Sequence, residues 1–158
     1  MPTASSHTIE IDEVGEKIWI SYPSVIEETD EYLKTQVLIE LGGRNVIDPN
    51  EVQRITPVAD ATECPGSDVT VLSLMRTFWE KATLIDVECN RDKLKANPER
   101  SSRHWCDLVM LFRHESGQLA VNDRLLFEDV VYHKKIFFDS SSSNYDVCLE
   151  GDLNLLSE

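Results

Sequence analysis

The sequence predicts an α+β fold: a few antiparallel strands first, then a bundle of about three helices. Three observations lead there. Over the first third of the chain apolar and polar residues alternate with a period of two, the pattern of strands with one covered face. From Leu72 onward the apolar residues recur at steps of three and four, the period of helices with one covered face. The chain has 158 residues, 41% of them hydrophobic, which suits one domain with its own core.

Thr8 to Asp12 alternates, Glu13 to Lys17 reads as a turn, and Ile18 to Tyr22 alternates again before Pro23 ends it. Together they predict a hairpin. Val25 to Leu33 is acidic and reads as a loop or a short helix. Gln36 to Leu41 is the strongest strand, β-branched and apolar, stopped by Gly42 and Gly43. Asn45 to Asp68 holds three prolines and no sustained period, so it reads as an irregular connection, with a turn at Cys64 to Asp68. Leu72, Met75, Trp79, Ala82 and Ile85 then predict a helix over Ser73 to about Glu88. Arg91 to Arg100 is charged, contains Pro98 and reads as a mobile loop. A second helix is expected from about Ser101 to Glu115, capped by Ser101 or Ser102, with Leu108, Leu111 and Phe112 inward. A third starts near Asn122, with Leu126, Val130, His133 and Phe137 on one stripe. Asp139 to Asn144 is a polar loop, and the tail to Glu158 shows no obvious closing element. The organisation is a strand-rich part, 1–68, and a helical part, 69–158, within one structural domain.

The formal net charge is -14. Such a surface repels phosphate backbones, which argues against a free-standing nucleic-acid binder; an RNA or nucleotide site would need a local basic cluster or a metal ion. The cysteines, at 64, 89, 106 and 148, form no CxxC pair, which argues against structural zinc. No secretory signal is visible, and no apolar run approaches the roughly 18 residues of a membrane helix. The expectation is a cytoplasmic protein with reduced thiols that does not contact membrane. No HExxH, GxGxxG, P-loop or GxSxG spacing occurs.

Three places could carry chemistry. Glu80 and Lys81 interrupt an otherwise apolar helix, with Thr77 one turn before Lys81. A lysine held against an apolar face offers a fixed positive charge, suited to a triphosphate or a developing phosphoryl charge; the other reading is a solvated lysine. Asp107 precedes five apolar residues and lies one turn after Arg103, in the run Arg103-His104-Trp105-Cys106-Asp107. It either pairs with Arg103 at i,i+4 or works in a cleft opposite Lys81, orienting the lysine or accepting a proton. Glu40 is the interior charge of its strand, on the face opposite Val37, Ile39 and Leu41. It reads as a metal carboxylate or as a solvent-facing strand residue.

Several of these runs resemble one family. Val71-Leu72-Ser73-Leu74 leading into Arg76-Thr77-Phe78-Trp79-Glu80-Lys81-Ala82-Thr83-Leu84 resembles the Thr-x-x-Glu-Lys helix of the AbiEii/AbiGii nucleotidyltransferase toxins. Arg103-His104-Trp105-Cys106-Asp107-Leu108 resembles that family's Arg-His-x-x-Asp-Leu helix. His133-Lys134-Lys135-Ile136-Phe137-Phe138 is a third, weaker match, and Ile20 to Ser24 and Val37 to Arg44 resemble the strands before the helices. The resemblance covers nearly the whole chain. It implies a partial polymerase-β-like nucleotidyltransferase fold, Mg²⁺, a nucleoside triphosphate, and transfer of a nucleotide to an acceptor such as tRNA, within a toxin–antitoxin or phage-defence system. The antitoxin of such a system often forms no stable complex with the toxin. Lys81 and Asp107 then stand as catalytic residues, with Glu80, Arg103, His104 and Thr77 supporting and Glu40 as a further carboxylate.

The sequence also departs from the family. The family's Gly-Gly/Ser loop and metal-binding Asp-x-Asp pair are not found, Asp86 stands where many relatives have His, and the family continues beyond this chain's last residue. The expectation is a fragment lacking the N-terminal Asp-x-Asp part and the C-terminal end, with an open sheet edge, inactive until a second chain completes it. The competing expectation is a non-catalytic remnant or interaction module of the same family.

Overall fold

The structure is a computed structural model. It describes residues 7–24, 34–44, 46–56, 65–91 and 98–156. The acidic run at 25–33 and most of the charged loop after Arg91 lie outside the described residues. The fold is α+β as the sequence predicts, with antiparallel strands followed by five helices rather than about three. It forms two compact units, Met1–Asn45 and Val46–Glu158.

The first unit is a three-stranded antiparallel sheet of β1 (Thr8–Ile11), β2 (Lys17–Ser21) and β3 (Gln36–Glu40), with β2 in the middle. The predicted hairpin is β1–β2. Its turn places Gly15 at φ 75, where a side chain would be strained, and Asp12 accepts from the Lys17 backbone N–H at 3.0 Å. The register sets Ile9, Ile20 and Val37 in one row and Ile11, Ile18 and Ile39 in the next. All six therefore share one face, while Glu10, Trp19 and Leu38 share the other.

The second unit begins with the antiparallel pair β4 (Asn50–Ile55) and β5 (Ser67–Leu72). The sequence reading of Asn45 to Asp68 as irregular is corrected here. β4 escapes the period-two test because its two apolar residues, Val52 and Ile55, fall on opposite faces of Asn50-Glu51-Val52-Gln53-Arg54-Ile55, leaving no alternation to read.

Helix α1 (Leu74–Cys89) matches its expected span. Ser73 caps it, its hydroxyl accepting from the Arg76 backbone N–H at 3.2 Å. Helix α2 (Pro98–Arg113) starts earlier than the Ser101 or Ser102 cap predicted. Proline suits a first helical position, having a fixed φ and no N–H to satisfy, so Pro98 opens the helix rather than marking a loop. Helix α3 (Glu115–Asn122) was not foreseen. His114 leaves helical geometry at ψ 151 and caps α3 through Nδ1, which accepts from the Ser116 N–H at 3.2 Å. Helix α4 (Arg124–Phe137) is the expected third helix, capped by Asp123. A short α5 (Tyr145–Glu150), ended by Gly151 in the left-handed region, closes the tail that seemed open in the sequence.

Helix α1 is central, packed by α2, α3 and α4. One core cluster holds Phe78, Ala82, Ile85, Leu108 and Ala120; a second holds Val87, Phe127, Val131, Tyr145 and Cys148. Trp79 touches both, lying 4.6 Å from the Phe127 ring and donating its indole N–H to the Ala120 carbonyl at 3.0 Å. Its apolar body and its single polar atom are thereby both satisfied. His133 is buried as a core histidine, as its apolar stripe suggests, with its ring 5.0 Å from Phe137.

Candidate active site

Ala82 and Ile85 on α1 pack against Leu108 on α2. The residues flanking this seam, Lys81 on α1 and Asp107 on α2, therefore face one another at its rim. The Lys81 ammonium donates to Asp107 Oδ2 at 2.7 Å and lies 3.2 Å from His104 Nδ1. An ammonium has no acceptor, so His104 Nδ1 must accept, which places the ring proton on Nε2. Of the two partners the sequence left open for Asp107, the structure selects Lys81 over Arg103. Arg103 stands exposed one turn before, its charge adding to the positive field.

The electrostatics follow from this arrangement. The hydrogen bond from Lys81 holds the Asp107 carboxyl below its ordinary range. His104 is also held below its ordinary value, first by burial of the ring and then by the Lys81 charge. At neutral pH the site is therefore an ammonium between a carboxylate and a neutral imidazole. The side chains of Lys81 and Asp107 are 26% and 50% exposed. A pair so open to water contributes only about 0–1 kcal/mol to stability, so stability gives little reason for its presence.

Removing the Lys81 charge should raise both neighbouring pKa values. In Lys81→Met the Asp107 carboxyl is expected to return toward the ordinary range and His104 to titrate higher, readable by NMR titration of the two side chains. The linkage sign is the same for both. A depressed folded-state pKa gives stability present above the unfolded value, about 3.9 for Asp and 6.5 for His, and lost as pH falls through the folded value. The wild type should lose these contributions in two acid steps, and Lys81→Met should lose less in each. An unchanged His104 would show that Lys81 does not act on it.

The other sequence candidates lie elsewhere. Thr77 turns its hydroxyl back onto its own helix, donating to the Ser73 carbonyl at 2.9 Å. Glu80 faces α4. There it meets Arg76 Nε at 3.5 Å and forms a close ion pair with Lys134. Glu40 lies in the sheet unit, where it pairs across the strands with Lys17 at 3.4 Å.

Two groups have buried roles that the sequence reading did not assign. Arg76 is fully buried, and its Nη1 reaches Asp129 Oδ2 at 2.5 Å and donates to the Asp48 carbonyl at 2.9 Å. Asp86, also buried, accepts from the Asn154 backbone N–H at 2.8 Å and from the Cys148 thiol at 3.2 Å. Burial, then Asp86, pushes that thiol up to about 12. Asp86 leaves one signal in the sequence, a carboxylate set between Ile85 and Val87.

A divalent cation does not fit the paired site. It offers one carboxylate, already bound to an ammonium, and an imidazole whose Nδ1 is bound to the same ammonium. Among the described residues no three His, Cys, Asp or Glu side chains converge as a metal site. No described helix is long and apolar enough to cross a membrane.

No curated protein and no solved structure matches this chain. A family model, nucleotidyl transferase AbiEii toxin of type IV toxin–antitoxin systems, matches residues 2–157. With that match spanning both units, the chain belongs to the AbiEii family of nucleotidyl transferase toxins.

Proposed function

We propose that this chain transfers a nucleotide from a nucleoside triphosphate to the end of tRNA in the cytosol, slowing translation, and that Lys81 and Asp107 carry the step. The observation behind this reading is the Lys81 ammonium held between Asp107 and His104 on two facing helices. The acceptor hydroxyl attacks the α-phosphorus, the bond from that phosphorus to the leaving oxygen breaks, and pyrophosphate departs. Lys81 offers a fixed positive charge to the phosphates. As they draw the ammonium away, Asp107 loses the donor that depresses its pKa and becomes a better acceptor for the hydroxyl proton. His104, kept neutral, adds no competing charge. Arg103 extends the positive field toward the acceptor.

The family implies a divalent cation and an antitoxin. Because the Lys81–Asp107 pair does not fit a cation, the carboxylates that hold it would lie outside the paired site, in an Asp-x-Asp segment of the kind the family carries. The antitoxin would act without a stable complex.

The test is transfer of labelled nucleotide from each of the four triphosphates to total tRNA with Mg²⁺. It is run with the chain alone and with a polypeptide supplying the Asp-x-Asp segment. Lys81→Ala and Asp107→Ala should each lower transfer by about 10²-fold or more. Transfer that survives both substitutions would remove their assigned roles. A folded wild-type chain inactive in every arm would favour the other reading, a non-catalytic interaction module of the family.

A further inference from the structure

Helices α1 and α2 are held together by more than their own side chains. After Gly151 ends α5, the tail crosses back over both helices. Leu153 packs against the core cluster of Val87 and Phe127, and Leu155 packs against the cluster of Phe78, Ala82, Ile85 and Leu108. That second cluster, which also holds Ala120 of α3, joins α1 to α2, so Leu155 packs against the residues that bring the two helices together.

The tail backbone is fixed to each helix by one buried or half-buried polar group. On α1, Asp86 accepts the Asn154 N–H at 2.8 Å, and Asn90 Oδ1 accepts from the Asn154 side chain at 3.4 Å. On α2, the Trp105 indole N–H donates to the Leu155 carbonyl at 3.2 Å. These anchors stand close to the paired site in sequence: Trp105 lies between His104 and Asp107, and Asp86 is five residues beyond Lys81. A buried carboxylate is costly unless its acceptors are used. Asp86 uses both oxygens, one on the tail N–H and one on Cys148 in α5. The tail is thus bound to α1 by a group that needs it.

We infer that Asp86 and Trp105 are positioning residues which, through the 152–156 tail, set the spacing of α1 and α2 and so hold Lys81 against Asp107 and His104. The inference rests on the reading of Lys81 and Asp107 as the reacting pair, and it deepens that reading. Asp86 and Trp105 direct their hydrogen bonds to the tail and α5 rather than to the pair. They act through Leu155, whose side chain packs against the cluster that joins the helices.

His104 reports the spacing without any assay of transfer, since burial in the seam and the nearby Lys81 charge both hold its pKa down. Four full-length variants, Asp86→Leu among them, test the inference. Asn154→Pro removes the N–H that Asp86 accepts, Trp105→Phe keeps the ring and removes the donor, and Asp86→Asn keeps an acceptor oxygen for the tail. In Asn154→Pro and Trp105→Phe, with helical circular dichroism unchanged, His104 should titrate higher, toward the ordinary imidazole range. Asp86→Asn should titrate like the wild type, and Asp86→Leu like Asn154→Pro. A chain ended after Gly151 checks the same point without a proline. The inference is overturned if His104 titrates as in the wild type while NMR shows the tail amides of Asn154→Pro released. It is overturned equally if Asp86→Asn behaves like Asp86→Leu. The titration does not depend on transfer: an inactive wild type would sink the proposed function and leave this outcome intact. Where transfer is measurable, the released-tail variants should lose kcat more than they raise KM, because the pair is displaced while its charges remain.

Discussion

Glu80→Ala should destabilise the helical unit by about 3 kcal/mol, and Asp129→Ala by about 1 kcal/mol or less. Both residues pair with Arg76, and the difference comes from water. Arg76 is fully buried in α1, Glu80 is largely buried and Asp129 is 63% exposed. The Glu80 carboxylate serves two cations, Arg76 from its own helix and Lys134 from α4, whose side chain is 15% exposed and lies 4.7 Å from the Phe138 ring. Removing Glu80 leaves a buried guanidinium with one solvated carboxylate and, among the described residues, a mostly buried ammonium with no carboxylate. Removing Asp129 leaves Arg76 with Glu80 and the Asp48 carbonyl still in place. Urea unfolding followed by the helical signal reads both, and the midpoint should shift with the slope unchanged. Equal losses from the two substitutions would show that the network is not organised around Glu80. The same geometry assigns Glu80 to the α1–α4 contact, although in sequence it stands beside Lys81.

Gly117→Ala should cost about 3 kcal/mol, at or beyond the upper end of ordinary overpacking. A Cβ at this position would lie 2.0 Å from the Leu111 carbonyl oxygen, 2.6 Å from its carbon and 2.8 Å from Phe112 Cα. All three are backbone atoms, so no side-chain rotation relieves the contact. The φ of Gly117 is not positive, which makes the requirement one of space rather than of backbone conformation. The turn is already closed by hydrogen bonds from His114 N to the Leu111 carbonyl and from Gly117 N to the His114 carbonyl, each 3.0 Å. Alanine would push α3 off the end of α2 and withdraw Ala120, fully buried in the first core cluster, from beside Phe78. Serine should be no better. A Gly117→Ala chain within about 0.5 kcal/mol of the wild type, by the same unfolding measurement, would show that α3 can move away at little cost.

Legibility in the sequence followed how regularly apolar residues recur. Helices α1 and α4 bury one face deeply, and their apolar residues recur at helical steps, so both were readable to within a residue or two. Strands β1 to β3 carry a real alternation. Strand β4, as exposed as β1, splits its two apolar residues, Val52 and Ile55, between opposite faces and left no alternation to read. Helices α3 and α5 are eight and six residues long, too short for a period to establish itself, and each is placed by a local device: the His114 cap and the Gly151 turn. At the site, charges inside apolar helices singled out Lys81 and Asp107, but nothing local could choose between Arg103 on the same helix and Lys81 on another. Arg76 and Lys134 were hidden for a related reason. A buried cation looks like a surface one until its carboxylate is seen arriving from a distant helix.

The single apolar face of the first sheet also acts as a code for alignment. Ile9 and Ile11 sit in line with Ile20 and Ile18, which sit in line with Val37 and Ile39. A slip of β1 by one residue would turn both of its isoleucines to the side of Trp19 and Leu38 and bring Thr8 and Glu10 among the β-branched residues. A slip by two would restore the facing but strip the strand, only four residues long, of half its partners. Short as they are, these strands admit one pairing that satisfies both side-chain facing and backbone hydrogen bonds, so the hairpin can find its alignment from its own residues.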